Sequence, residues 1–226
     1  MMGESMGFGL SRCVGLTAPH PDAMVQKYRD ALGWEMLTSE SGLCLTDGAL
    51  RAYIDPGDRR PPVLELLTDH LSAARGQLRA LGFEEVTWKG SGEFNLVVDP
   101  FGNSWNIFEL GADDEDEDFD FYSPTLARIG LHTHEPAKVA EFFSTVLERP
   151  ATLSGHVWVI DSDPVRLRIE PGLPNGPVFL LEDALQLQAL GAQPGQSTLT
   201  DTWGITWRVL PRPPASTAVI SEAPNA

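Results

Sequence analysis

The sequence is poor in cysteine, in basic residues and in long apolar runs. Its 226 residues include two cysteines, Cys13 and Cys44, too few for a disulfide framework or a cysteine-rich zinc cluster and typical of a reducing compartment. No apolar stretch approaches the roughly 20 residues that cross a bilayer. The first residues also lack the basic and apolar regions of a signal peptide. These features predict a cytoplasmic protein without a membrane partner.

Basic residues are half as numerous as acidic ones. Lys and Arg total 16 against 32 Asp and Glu, for a formal net charge of −16. This balance argues against nucleic-acid and anionic-membrane partners, which need a basic surface. The acids are concentrated, because residues 112–124 contain seven of them and no basic residue. Like charges in a row repel one another and bury nothing, so this segment is interpreted as an exposed linker.

The segments on either side of this linker repeat one pattern. Short blocks recur in the same order, first at an offset of 115 residues and then at smaller offsets. A second copy that has lost about 13 residues would have this form. The matching blocks are Cys13–Thr17 with Arg128–His132, Ile54–Gly57 with Ile169–Gly172, Ala80–Gly82 with Ala189–Gly191, and Asp99–Ile107 with Asp201–Val209. We interpret the pattern as an internal duplication.

Each copy alternates short strands and helices in the order β-α-β-β-β, twice. In the first copy, one helix is predicted to start at an Asp22 cap and to stop at Gly33. A second is predicted over Leu71–Leu81 after an Asp69 cap. Alternating apolar residues between Gly, Pro and Asp turns predict eight strands in this copy. The sequence therefore predicts an α+β fold.

Two motifs give this order a family resemblance. Tyr28–Trp34 (YRDALGW) and Asp99–Trp105 (DPFGNSW) resemble landmarks of the vicinal oxygen chelate superfamily. Its members include glyoxalase I, extradiol dioxygenases, bleomycin-resistance proteins and fosfomycin-resistance enzymes. The resemblance implies two tandem domains, each of two βαβββ modules whose curled mixed sheet forms a cup with helices outside.

The resemblance also implies where the domains begin and end and how the two domains are arranged. The first domain is expected at 9–111, the acidic linker at 112–124, a shortened second domain at 125–211, and a flexible tail rich in Pro and Ala at 212–226. Each copy alone buries a limited core, so the two copies are expected to pair as an intramolecular pseudo-dimer. Further oligomerisation is left open.

Enzymes of this family hold a metal with His and Glu residues at four strand positions inside a cup. The corresponding positions of the first copy carry Cys13, Asn106, a residue near Arg51 or Tyr53, and a residue near Val63. Those of the second copy carry Arg128, Arg208, Arg166 or Arg168, and Val178. A divalent catalytic metal takes three or four anionic or imidazole donors, so no metal and no other cofactor is predicted. Glu65 is interpreted as a polar position on an otherwise buried strand.

Three further residues keep a metal site open as an alternative. His132 and His134 have strand spacing on one face, and Glu109 follows Asn106 by three positions. Glu109 would face a cup only through a bulge, and a metal site built from these residues needs a shifted register. The cofactor would then be a divalent metal.

The sequence thus predicts reversible binding of a small organic molecule in the first cup, resembling the bleomycin-resistance branch that sequesters its ligand. The predicted lining residues are Cys13, Thr17, Arg51, Tyr53, Ser104, Asn106 and Phe108. Such a mixed polar and apolar lining suits an uncharged or weakly charged ligand. Two alternatives remain: a metal-dependent lyase or dioxygenase, and an assembly or regulatory module with relic cups. Whether the protein is an enzyme is left open.

The second cup is predicted to be cationic. Strand alternation places five basic residues of the second copy on one face. They are Arg128, His132, Arg166, Arg168 and Arg208, and we call the four arginines the cup arginines. Converging guanidinium groups repel one another unless an anion lies between them. The expected anion is a metabolite or the acidic linker, and a merely solvated face is the remaining interpretation.

Overall fold

A computed structural model of the protein describes residues 7–39, 42–111, 125–173 and 176–210. They form two mixed β-sheets and four α-helices, which confirms the predicted α+β class. The acidic linker at 112–124 and the tail at 212–226 lie outside the described residues. Among the described helices, none has the length and apolar character needed to cross a membrane.

The first sheet has eight strands, the number predicted for the first copy. Its strands are β1 (Gly9–Ala18), β2 (Glu35–Ser39), β3 (Gly42–Thr46), β4 (Arg51–Pro56), β5 (Val63–Thr68), β6 (Glu84–Thr87), β7 (Leu96–Val98) and β8 (Ser104–Glu109). They lie in the order β2-β3-β4-β1-β5-β8-β7-β6. The helices of this half are α1 (Pro21–Leu32) and α2 (Leu71–Ala80).

The second sheet repeats this arrangement with seven strands. They are β9 (Ala127–Thr133), β10 (Ala151–Ser154), β11 (Val157–Ser162), β12 (Val165–Pro171), β13 (Gly176–Leu181), β14 (Thr198–Thr200) and β15 (Thr206–Val209), in the order β10-β11-β12-β9-β13-β15-β14. The helices are α3 (Pro136–Val146) and α4 (Ala184–Leu190). Helix α4 has 7 residues against 10 in α2, and the described residues include no counterpart of β6. The second copy is therefore shortened in its last module.

Both predicted helix caps in the first half are wrong. Helix α1 begins at Pro21, with His20 rather than Asp22 at the cap position. Proline favours the first helical position because it has no amide hydrogen to satisfy and its φ is already helical. Helix α2 follows His70 rather than Asp69, and neither histidine side chain forms a capping hydrogen bond.

Strand alternation gives each sheet a face packed beneath helices and an open face. On β8, Trp105 and Ile107 have no exposed surface, whereas Asn106 and Phe108 between and beyond them are partly exposed on the other face. We call the open face of β1, β4, β5 and β8 the first cup, and that of β9, β12, β13 and β15 the second cup. Alternation thus decides which side chains can meet a ligand.

The first helix of each half packs against the closing hairpin of the other half. The ring centroid of Tyr28 in α1 lies 5.1 Å from that of Trp207. At the equivalent place, Phe143 in α3 lies 5.2 Å from Trp105. The Tyr28 hydroxyl also donates a hydrogen bond of 2.7 Å to Oδ2 of Asp201. The two halves therefore exchange aromatic contacts related by the duplication.

An aspartate shapes each closing hairpin. Asp99 accepts hydrogen bonds from the backbone amides of Phe101 and Asn103, at 2.8 and 2.9 Å. It also accepts a hydrogen bond of 2.9 Å from the indole nitrogen of Trp105. Asp201 accepts an equivalent set in the second half. These bonds direct the tryptophans into the core, so the alternate residues of β8 and β15 face the cups.

We expect the two halves to remain associated after the chain is cut within residues 113–120. Their contacts include the aromatic pairs above and a hydrogen bond of 2.7 Å from Lys27 Nζ to the carbonyl oxygen of Ala189. One continuous buried core also contains residues of both halves. A protease site inserted in the segment allows cleavage, and size-exclusion chromatography should show elution at the volume of the uncut chain. Separation into two stable monomers would contradict the pairing.

Candidate functional site

The first cup encloses a cavity of about 420 Å³, within the range typical of small-molecule sites. The cavity lies across the open faces of the four strands of the first cup, and the segment 92–94 completes its wall. Aromatic side chains contributed by Tyr53, Phe94 and Phe108 form part of the lining. A flat apolar group would find contact surface on these rings.

Four of the seven predicted lining residues border this cavity: Cys13, Tyr53, Asn106 and Phe108. Thr17, Arg51 and Ser104 lie at open-face positions of their strands but are not among the cavity walls. The backbone of Gly57 covers Thr17, since a Cβ atom on that glycine would lie 2.9 Å from the threonine methyl group. Ligand contact by any of the seven stays a prediction.

Three carboxyl groups of the cavity wall were missing from the predicted set: Asp55, Glu65 and Glu93. The strand register places Glu65 directly beside Asn106, whose Nδ2 donates a hydrogen bond of 2.7 Å to Glu65 Oε2. Glu65 therefore faces the cup. Leu64 and Leu66 are fully buried on either side of it, so strand alternation alone would have predicted this orientation.

Burial controls the charge state of the cavity floor. It raises the pKa of Glu65, although hydrogen bonds with Ser11, Asn106 and Cys13 oppose the effect. Burial also raises the pKa of Cys13 to about 12, and the nearby Glu65 adds to this shift. The thiol is therefore protonated at neutral pH and is a poor nucleophile.

The second cup contains a polar cluster of Glu170, His132 and Arg208, in which Glu170 and His132 are buried. Arg208 Nη1 lies 3.0 Å from Glu170 Oε2 and 3.2 Å from His132 Nε2. Strands β12 and β15, which carry the glutamate and the arginine, are separated in the sheet by β9 and β13. This contact across two strands requires a strongly curled sheet. Glu170, which was not predicted, thus supplies an anion beside Arg208.

The charge state of His132 follows from its burial. The residue is 4% exposed, and burial lowers its pKa. The Glu170 carboxylate opposes the shift, whereas the positive charge of Arg208 adds to it. The imidazole is therefore neutral at neutral pH.

No protein-family profile and no curated protein sequence matches the chain. Several solved structures do match in fold. The Mn(II)-bound glyoxalase from Novosphingobium aromaticivorans has a TM-score of 0.57 and 16% identity, with 91% of this chain and 82% of that chain covered. The 2,2′,3-trihydroxybiphenyl 1,2-dioxygenase from Sphingomonas wittichii strain RW1 has a TM-score of 0.50 and 15% identity, with 91% and 89% covered.

An extradiol ring-cleaving dioxygenase from B. fuscum has a TM-score of 0.57 and 12% identity, with 94% of this chain and 74% of that chain covered. The chain shares the fold of these glyoxalase and dioxygenase structures. The resemblance inferred from the Tyr28–Trp34 and Asp99–Trp105 motifs is thereby confirmed at the level of fold. Identities this low extend no activity to the chain.

The vicinal oxygen chelate fold implies a metal in the cup, and the residues of the first cup do not fit one. Cys13, Tyr53, Glu65 and Asn106 occupy or adjoin the family's metal positions. The only carboxyl group among them has a raised pKa, and the Asn106 side chain is engaged at both ends. Its Nδ2 bonds to Glu65, and its Oδ1 accepts a hydrogen bond of 2.9 Å from the Asn95 amide. A divalent metal needs three or four anionic or imidazole donors.

The alternative metal ligands do not converge. Glu109 Oε1 accepts a hydrogen bond of 2.9 Å from the Leu71 amide, so this carboxylate holds the start of α2. His132 belongs to the cluster in the second cup, and His134 is exposed beyond the end of β9. In the part of the chain that the structure describes, no three His, Cys, Asp or Glu side chains come close enough to hold a metal.

We expect Glu65→Gln to become progressively more stabilising, relative to wild type, as the pH rises. Between the ordinary carboxyl pKa of 4.5 and the raised folded pKa, the folded state binds more protons than the unfolded state. The wild-type free energy of unfolding therefore falls as the pH rises through this window. Gln removes this penalty, and its amide oxygen still accepts from Asn106.

Urea unfolding at a series of pH values from about 5 to 8 measures the difference between the two proteins. Glu93→Gln is the matched control, because this carboxyl is exposed on the rim of the same cavity. A stability difference between Glu65→Gln and wild type that does not change with pH would contradict the raised pKa of the buried Glu65.

Proposed function

We propose that the protein reversibly binds a small organic molecule in the first cup, without a catalytic metal. The observation that carries this proposal is the cavity of about 420 Å³ lined by Cys13, Tyr53 and Asn106, which stand at or beside the metal positions that the family resemblance implies. Its central polar groups bond to each other, as in the hydrogen bond of 2.7 Å between Asn106 and Glu65. A floor of this kind can exchange hydrogen bonds with an entering ligand.

The wall chemistry favours a neutral or cationic aromatic ligand. Its described residues include no lysine or arginine, whereas three carboxyl groups and three aromatic rings line the space. The exposed carboxylates of Asp55 and Glu93 attract positive charge, and the buried Glu65 offers hydrogen bonds. The aromatic rings attract both apolar groups and cations. Phe94 is 47% exposed, which leaves its ring available at the cavity mouth. This wall extends the sequence expectation of an uncharged or weakly charged ligand to cations.

Sequestration agrees with the side chains better than catalysis does. Cys13 is the one cavity thiol in the described wall, and its pKa of about 12 leaves negligible thiolate at neutral pH. A metal-dependent lyase or dioxygenase would need donors that the first cup lacks. We therefore propose a binding role of the sequestration or resistance type, like that of the bleomycin-resistance branch.

A series of three compounds with the same ring tests the proposal: benzylamine, benzyl alcohol and benzoate. Ligand-observed NMR on the full-length protein should detect binding of the protonated amine and the alcohol. Benzoate should bind much more weakly, because the wall is acidic. Asp55→Asn and Glu93→Gln should each lower the affinity for benzylamine by roughly two- to fivefold, as expected for partly solvated charge pairs. Glu35→Gln, an exposed carboxyl on β2, is the control and should change nothing. Equal binding of all three compounds, or of none, would contradict the proposed chemistry.

Elemental analysis of protein purified without chelators or an affinity tag distinguishes the metal-dependent alternative. We expect manganese, iron, nickel and zinc far below one atom per chain. A stoichiometric amount of any of these metals would favour a lyase or dioxygenase. A metal-free protein that binds none of the ring compounds would favour an assembly or regulatory module with relic cups.

A further inference from the structure

The cup arginines converge as the sequence pattern suggests. The pairing of β9 with β12 places Arg166 beside Arg128, and Arg168 beside Gly130. Arg208 reaches the same region from β15, because its guanidinium contacts Glu170 on β12. The arginines also sense one another electrostatically. Burial lowers the pKa of Arg168, Glu170 opposes the effect, and the charges of the other three cup arginines add to it.

Three of the four cup arginines have an acidic partner. Arg208 pairs with the buried Glu170 at 3.0 Å, and Arg128 pairs with Glu182 at 2.7 Å. Arg166 pairs with Asp161 on the neighbouring strand β11. The side chains of these three arginines are 28–38% exposed, so a molecule entering the cup can reach them.

Arg168 is the exception. Among the described residues it has no ion pair, and its Nε is buried without a hydrogen-bond partner. A guanidinium on a simply solvated face would expose this atom to water. A buried donor without an acceptor is costly, and it marks a place where an acceptor is missing.

The two cups use equivalent positions for opposite chemistry. Arg168 occupies the place that Tyr53 has in the first cup, 115 residues earlier. Arg128 likewise replaces Cys13, and Arg208 stands at the hairpin position of Asn106. In the first half these positions border the ligand-sized cavity. The duplication therefore places the cup arginines on the open face of the second sheet, as it places Cys13, Tyr53 and Asn106 on that of the first.

We propose that the second cup is an anion-binding site, in which Arg168 and the adjacent Arg128 and Arg166 hold a carboxylate or phosphate group. Planar guanidinium groups bind such oxygens through paired, charge-assisted hydrogen bonds. The anion supplies the acceptor that Arg168 Nε lacks, and it offsets the one positive charge that Glu170, Glu182 and Asp161 leave uncompensated. The site is separate from the ligand cavity proposed for the first cup.

Inorganic phosphate and acetate are the probes. Titration of the full-length protein with either, at constant ionic strength set by chloride, should raise the melting temperature and give saturable binding by calorimetry. Arg168→Gln should weaken phosphate binding at least about tenfold, because a charge-assisted bond is lost. The Arg166 side chain is 38% exposed, so its replacement should not disturb the fold. Arg166→Gln should weaken phosphate binding by a smaller factor than Arg168→Gln does. The exposed Arg60→Gln is the matched control and should bind as wild type does.

A further variant distinguishes a free anion from the protein's own acidic residues. In it, the acids of segment 113–118 are replaced by Asn and Gln. If the site takes a free anion, phosphate binds the unmodified protein. The affinity of this variant for phosphate should then lie within about twofold of that of wild type at the same ionic strength. If phosphate binds only after the acids of the segment are replaced, the arginines pair with the acidic segment in the unmodified protein, and the proposal is overturned. Equal effects of phosphate and chloride on wild type, or unchanged binding by Arg168→Gln, would overturn it as well.

Discussion

Each sheet is covered by helices on one side only, so alternation along a strand commits every second residue to the core and leaves the others on the open face. On β8 and β15, the tryptophans Trp105 and Trp207 are at most 1% exposed on the core side. Packing against the helices and the opposite half constrains those residues. The open-face residues between them have no such constraint, and this freedom permits two cups of different chemistry on one repeated scaffold.

The two halves use that freedom in opposite directions. In the first cup, the floor is a hydrogen-bonded set of Glu65, Asn106 and Cys13, in which burial favours protonated, uncharged groups. In the second cup, Glu170 and Arg208 remain an ion pair at 3.0 Å, and further guanidinium groups surround them. A shared fold therefore determines which positions lie on the open faces but not the charge of the side chains that occupy them.

Much of the fold could be predicted from the sequence, because strand alternation and the repeated blocks are local patterns. The eight strands of the first sheet and the open-face position of the cup arginines follow from such patterns. The partner of Arg208 could not be predicted, because Glu170 reaches it only through the curl of the sheet across two intervening strands. Glu65 is hard to place from the sequence for a different reason: the residues around it, Val63–Leu67, are otherwise all apolar, which is typical of a strand buried on both faces. The cap predicted at Asp22 is wrong because Pro21 starts α1, and at α2 the Leu71 amide bonds to Glu109 of β8, a partner distant in sequence.

Amide NMR of the isotope-labelled full-length protein, titrated separately with benzylamine and with phosphate, tests most directly whether the halves hold distinct sites of opposite charge preference. Distinct sites predict that benzylamine shifts resonances of β1, β4 and β8 and that phosphate shifts those of β9, β12 and β15. Shifts from both compounds on the same strands would contradict separate sites, as would phosphate shifts confined to the first sheet.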